Sequence, residues 1–239
     1  MNPKDVKIKG NGYELAATLF TPEKISELLP AVVFYHGMPS QRKPRTNRRA
    51  QQLAEHNIVV LTFDFRGCGE SNGDITKITY KEWLDDALLG FDFLSQQSVV
   101  DKNRVGISGK SFGGYMGAMV SEKRNVASMV LHAPATYDDN TFEKTYTFDK
   151  TGRIMFRKSD AALKTMPIRA IEKYKNPLLI VGSEFDDLCP KNIVEGYFNH
   201  AGSAKKELKW ILGADHPLTK PEWDNEYVDV MVNWFVNTL

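Results

Sequence analysis

With 239 residues, 42% of them hydrophobic and 26% charged, the chain has the balance of an ordinary globular protein able to bury a sizeable core in one domain. Its 31 basic and 30 acidic side chains leave a formal net charge of +1, so no global charge favours nucleic acid or an anionic membrane surface. The opening Met1-Asn2-Pro3-Lys4-Asp5 lacks the apolar core of a signal peptide, and no apolar run reaches membrane-spanning length. Two cysteines, Cys68 and Cys189, are too few for a disulfide framework, so a cytoplasmic protein with reduced thiols is expected.

In chain order, residues 6–8 and 13–20 flank Gly10-Asn11-Gly12 and read as a hairpin. Residues 31–35 form an unbroken apolar run ending in His36-Gly37-Met38-Pro39, the pattern of a strand buried on both faces. A helix over 46–56 leads to a second such run at 58–63, which stops at Asp64-Phe65-Arg66-Gly67-Cys68-Gly69. Trp83, Leu84, Ala87, Leu88, Phe91 and Leu94 recur at helical spacing and predict a helix over 79–97. A strand at 104–108, a helix at 112–124 and a strand at 128–132 come next. The alternation predicts an α/β fold built on a mostly parallel, doubly wound sheet of about eight strands, with an antiparallel start and helices on both faces.

That rhythm breaks between Pro134 and Lys175. There, residues 144–148 and 153–157 flank Asp149-Lys150-Thr151-Gly152 as a second hairpin, and Ser159 caps a helix broken near Pro167. We read about 135–175 as a small lid inserted into a single domain spanning 1–239. Regularity returns with a strand at 177–182, a helix at 190–200, a strand at 208–212 and a helix at 221–238.

The chemistry centres on Gly109-x-Ser111-x-Gly113, between the strand at 104–108 and the helix at 112–124. This is the pattern of a nucleophile elbow, in which a strained turn holds a serine hydroxyl exposed and leaves no room for a Cβ on either flank. A serine hydroxyl needs a base, and the base needs an orienting group. Later loops offer both: Asp186 and Asp187 come after the strand at 177–182, and Asp215 and His216 after the strand at 208–212. In an open α/β sheet, working groups gather at the carboxyl ends of strands, so these loops converge on Ser111.

From His36-Gly37, through Asp64-x-Arg66-Gly67-x-Gly69-x-Ser71 and Gly109-x-Ser111-x-Gly113, to His216, the chain resembles the α/β-hydrolase superfamily. Ser111-Phe112-Gly113-Gly114-Tyr115 is similar to small lidded serine esterases and to the catalytic domains of acylaminoacyl and prolyl-type peptidases. The resemblance implies Ser111 as nucleophile, His216 as base and Asp186 as acid, with Asp187 as an alternative acid and Asp215 ranked third. It also implies an oxyanion hole made by the backbone N–H groups of Met38 and Phe112, where one such donor contributes about 2.7–4 kcal/mol. The expected activity is hydrolysis of a small acyl or aryl ester through an acyl-enzyme. Thioester or short-peptide cleavage, and a non-catalytic binding role, are the alternatives. No GxGxxG or Walker pattern and no metal-ligand spacing around Cys68 or Cys189 occur, so neither cofactor nor metal is expected. The expected partner is a small-molecule ester, with no nucleic acid or membrane, and the expected assembly is a monomer or homodimer.

Other residues carry secondary expectations. His36 props the oxyanion loop, while His56, His132 and His200 are ordinary structural histidines. Asp64 and Arg66 pin the turn after their strand. The basic run at 42–49 reads as a solvated helix face, or more sharply as an attractor for an anionic leaving group through Arg42 and Arg45. In the aromatic lid, Phe142, Tyr146, Phe148 and Met155 are candidates to line an acyl or aryl pocket.

Overall fold

The computed structural model describes residues 2–239. Strands β1 (Asn2–Lys9) and β2 (Glu14–Thr21) form the opening hairpin, succeeded by β3 (Leu29–Tyr35), α1 (Arg45–Ala54) and β4 (Val59–Phe63). Next come α2 (Tyr80–Ser95), β5 (Val100–Lys110), α3 (Phe112–Ser121) and β6 (Met129–His132). The remaining elements are α4 (Lys150–Arg157), α5 (Met166–Lys173), β7 (Leu178–Phe185), α6 (Lys191–His200), β8 (Lys206–Asp215) and α7 (Pro221–Val236). The eight strands form one sheet in the order β1-β2-β4-β3-β5-β6-β7-β8, antiparallel at β1, β2 and β4 and parallel from β4 to β8. Among the described residues, no helix is long and apolar enough to cross a membrane.

The buried strands divide by alternation, as period-2 geometry requires. Ala31, Val33 and Tyr35 of β3 face a core shared with α2, α3, α5 and α6, whereas Val32 and Phe34 face α1 and α7. Covering both faces explains why β3, β4 and β6 read as continuous apolar runs in the sequence.

The lid departs from expectation. Residues 150–157 form the helix α4 rather than the second arm of a hairpin, and the Asp149 carboxylate caps it by accepting from the Gly152 N–H at 2.8 Å. The Asp-x-x-Gly segment that suggested a turn is therefore an N-cap. Thr145 makes one antiparallel bridge with Thr79, but residues 144–148 form no strand. Pro167 does not break a helix. It sits in the first turn of α5, where its missing N–H costs no helical bond, and residues 160–164 form a separate 3₁₀ turn. The Ser159 hydroxyl donates back to the Phe156 carbonyl at 2.7 Å instead of capping that 3₁₀ turn.

Candidate active site

Strand register assembles the site. Tyr35 of β3 pairs with Gly109 of β5, so the segment His36-Gly37-Met38 emerges beside Lys110 and Ser111. Lys110 pairs with His132, His132 with Val181, and Phe185 of β7 with Asp215 of β8. Asp186 and His216 therefore leave neighbouring strands at the same level.

Ser111 occupies the joint between β5 and α3 with φ 53° and ψ −113°, a left-handed backbone that costs a non-glycine residue energy and is held by its surroundings. Its carbonyl accepts from the N–H groups of Gly114, Tyr115 and Ala135 at 2.9–3.1 Å, which anchors the turn. A Cβ on Gly109 would strike the Gly113 carbonyl, and one on Gly113 would strike the Tyr35 carbonyl, so both positions require glycine.

Of the three acid candidates, Asp186 is the one that meets His216: Nδ1 of the ring lies 2.6 Å from Asp186 Oδ2. Asp186 Oδ1 accepts from the N–H groups of Leu188 and Cys189, each at 2.8 Å, so the carboxylate is fixed on both sides. Asp187 is exposed, and the Asp215 carboxylate accepts from the Thr219 N–H and hydroxyl at 2.9 and 2.6 Å. Ser111 and His216 line one cavity of about 410 Å³, together with Met38, Tyr137 and Phe148. Among the described residues, no backbone acceptor meets the N–H of Met38 or Phe112, which leaves both donors available to a developing oxyanion.

The flanking loops are fixed by side chains. His36 Nε2 accepts from the Phe65 N–H at 3.2 Å, so its Nδ1 carries the proton and donates to the Gly37 carbonyl at 2.6 Å. Burial pushes the His36 pKa down, consistent with a neutral ring that ties the β3 loop to the β4 loop. Asp64 accepts from the Arg42 N–H at 2.6 Å and the Glu70 N–H at 3.0 Å, and it pairs with the Arg42 guanidinium. Arg66 donates through Nε to Asp86 at 2.7 Å and stacks on the Tyr13 ring at 4.0 Å.

These contacts correct the reading of the basic run. Arg42 is buried between Asp64 and Glu70, Lys43 pairs with Asp5 at 2.8 Å, and Arg48 and Arg49 both pair with Asp224. Of the two arginines assigned to an anionic leaving group, only Arg45 lacks a carboxylate partner among the described residues, and it donates to the Pro217 carbonyl. His132 is buried on β6 within 3.1 Å of the Ser183 hydroxyl, while His200 bonds the Gly196 carbonyl and His56 is exposed.

The lid aromatics are also redistributed. Phe148 lines the serine cavity, but Met155 is 68% exposed and Phe142 lines a separate cleft with Leu84 and Met119. Tyr146 is buried in an aromatic cluster, 5.4 Å from Trp83 between ring centres, and does not line the cavity. Sequence reasoning missed Tyr137, Lys110, Arg153 and Arg157, all of which line it. It also missed Cys189, whose sulfur lies 4.0 Å from the Ser111 hydroxyl. Asp186, Cys189 and His216 place their donor atoms within 4.8 Å of one another, a set that geometry would offer to a metal ion. Burial pushes the Cys189 thiol up to about 11, however, and the facing atoms of Asp186 and His216 already bond each other.

A profile of the prolyl oligopeptidase family matches residues 44–239. The chain belongs to that family. Among curated relatives, the quorum-quenching protein AidA of Acinetobacter baumannii is 28% identical over 136 residues, which are 56% of this chain and 44% of AidA. The chain thus spans less than half of that relative's length. In structure it is similar to Est1E of Butyrivibrio proteoclasticus, seen with ferulic acid, with a TM-score of 0.78, 18% identity and 98% of each chain covered. It is similar also to a dienelactone hydrolase of Anabaena variabilis, with a TM-score of 0.74, 17% identity and 99% of each chain covered. At these identities the likeness is one of fold, and the fold shared is that of the α/β hydrolases.

Proposed function

We propose that this prolyl oligopeptidase-family protein is a serine hydrolase that cleaves a small carboxylic ester through an acyl-enzyme. The observation that carries the proposal is a strained serine and a histidine held by a doubly fixed aspartate, both lining one cavity, beside two backbone N–H groups that meet no backbone acceptor among the described residues. In this reading His216 removes the Ser111 proton as Oγ attacks the ester carbonyl, and Met38 and Phe112 donate to the resulting oxyanion. His216 then protonates the leaving alcohol and activates the water that releases the acid. Asp186 keeps the His216 proton on Nδ1, which leaves Nε2 to act as base.

Labelling with a fluorophosphonate, alongside turnover of p-nitrophenyl esters of increasing chain length, tests the assignment. Wild type labels and turns over, and Ser111→Ala does neither; failure of wild type to label, or labelling of Ser111→Ala, overturns it. Asp186→Asn lowers kcat by roughly 10⁴, because an amide facing Nδ1 enforces the wrong tautomer. Asp187→Asn and Asp215→Asn leave kcat within about tenfold, since neither carboxylate meets His216. Family membership favours a second reading, cleavage of short or N-acylated peptides by the same groups. Peptide anilides turned over more efficiently than esters of equal acyl size select that reading.

A further inference from the structure

The lid helix α4 presents Lys150, Arg153 and Arg157 at spacings of three and four, so all three lie on one helical face. That face looks into the serine cavity, and Lys110 joins it from the end of β5. Among the described residues no carboxylate lines this cavity, and Asp186 beside it is engaged by His216 and two backbone N–H groups.

The hydrogen bonds of these arginines go to neutral acceptors. Arg153 donates to the Tyr146 hydroxyl at 3.1 Å, to the Tyr80 hydroxyl at 3.4 Å and to the Thr147 carbonyl. Arg157, only 4% exposed, donates to the Thr136 carbonyl at 3.1 Å and the Leu188 carbonyl at 2.7 Å. Both guanidinium groups stand against the Tyr137 ring, their carbons 5.5 and 5.0 Å from its centre. Among the described residues, neither has an acidic side chain within ion-pairing distance. Like charges four apart on a helix repel, and a buried cation without a counter-ion is costly. Elsewhere in this chain buried arginines are neutralised: Arg42 by Asp64, and Arg49 by Asp224. Arg157, with the half-buried Arg153 one turn before it, breaks that rule at the wall of the reaction cavity.

We propose that the missing counter-ion is the substrate's own: the basic face of α4 forms a subsite for a carboxylate carried by the ester, so the preferred substrate is an anionic half-ester. This rests on the serine-hydrolase reading of the same cavity. A planar carboxylate suits the guanidinium fork, and the apolar wall of Met38, Phe148 and Leu188 takes the carbon chain between carboxylate and scissile carbonyl. Lys110, next to Ser111 in sequence, adds charge near the reacting end of the cavity.

The test compares p-nitrophenyl monoglutarate with its methyl ester, which replaces the carboxylate by a neutral methyl carboxylate, and reads p-nitrophenol release from the aryl ester common to both. The anionic ester is expected to exceed the neutral one in kcat/KM by about tenfold or more, the scale of one charged hydrogen bond. Raising the salt concentration narrows the ratio. Arg153→Gln and Lys150→Gln each reduce it, and Arg153→Lys retains part of it. Using the ratio cancels any general loss of activity in a variant, and Lys150, being exposed, is replaced without risk to the core. Free glutarate, as a second readout, slows fluorophosphonate labelling of Ser111 in wild type more than in Arg153→Gln. A ratio near one in wild type, or one unchanged in both Gln variants, overturns the subsite. If Ser111 labels and neutral esters turn over in that event, the serine mechanism stands without it; if Ser111 does not label, the serine mechanism itself has failed.

Discussion

Lys110 stands one residue before Ser111 and faces two fields at once. Arg45 and Arg49 supply like charge and Asp186 and Asp215 opposite charge, and its ammonium donates to the Pro217 carbonyl at 3.2 Å. Burial, with the Arg49 and Arg45 charges, pushes its pKa down to about 7. The sign of the consequence is fixed. A lysine with a depressed pKa is charged below that value and neutral above it, so attraction for an anionic substrate weakens as pH rises through about 7. The raw rate also carries whatever pH dependence the chemical step itself has, and it therefore mixes two effects. The ratio of kcat/KM for the anionic and neutral esters separates them, because the histidine serves both substrates alike. That ratio falls between about pH 6 and 8 in wild type and loses its pH dependence in Lys110→Met. A flat wild-type ratio, measured where the anionic ester is still preferred, removes Lys110 from substrate attraction.

Helix α4 exists because Asp149 caps it, and its cap is the element on which the basic face depends. Asp149→Ala removes the acceptor for the Gly152 N–H and costs about 1 kcal/mol, the typical effect of losing an N-cap. The cost falls on α4 alone, so faster amide exchange over 150–157 with little change in the global melting temperature is expected; uniform destabilisation of the whole chain contradicts this. The same element shows where sequence reading stops. The central parallel strands were legible because burial on both faces leaves unbroken apolar runs; Ser111 and Asp186 stood out as candidates because each follows such a strand, and His216 because it follows the edge strand at 208–212. The lid offered no comparable signal. Arg153-Ile154-Met155-Phe156-Arg157 is too short for periodicity to separate strand from helix, and the Asp149–Gly152 spacing serves a turn as well as a cap. Reading it as a hairpin put Lys150 in a turn and Arg153 and Arg157 on a strand, which hid the convergence of all three on one helical face. Cys189 was within reach, since the Asp186 carboxylate accepts from its N–H three residues on, a local turn that folds the thiol back toward the site. Pairings such as Arg42 with Asp64 were not, because 22 residues, holding the helix α1 and the strand β4, separate partners that only the fold brings together.

At the scale of the molecule, the sheet positions the site and the helices hold the sheet, and one clamp between helices sits on α7, the helix that follows the His216 loop. Asp224, in the first turn of α7, accepts from Arg49 Nε at 2.8 Å and pairs with Arg48, joining α7 to α1 across the same face of the sheet. Arg49 and Asp224 are each 5% exposed at the side chain, and the Arg49 guanidinium also lies 4.8 Å from the centre of the Tyr227 ring. Removing one partner of such a pair leaves a buried charge uncompensated. Asp224→Ala should therefore cost about 3–5 kcal/mol, whereas exposed ion pairs such as Lys7–Glu14 contribute about 0–1 kcal/mol. In a chain of this length each kcal/mol lowers the melting temperature by about 2–4 °C, so a fall on the order of 10 °C is expected. The double variant Arg49→Met, Asp224→Leu removes both buried charges while filling the volume, and it should recover most of the loss. Thermal and urea unfolding of the three proteins decides the matter. If the double variant is as unstable as Asp224→Ala, the deficit comes from lost helix packing or the Arg48 bond rather than from a stranded guanidinium. If Asp224→Ala unfolds like wild type, the clamp contributes nothing, and the attachment of α7 rests on the apolar contacts of Tyr227, Val228, Met231 and Phe235.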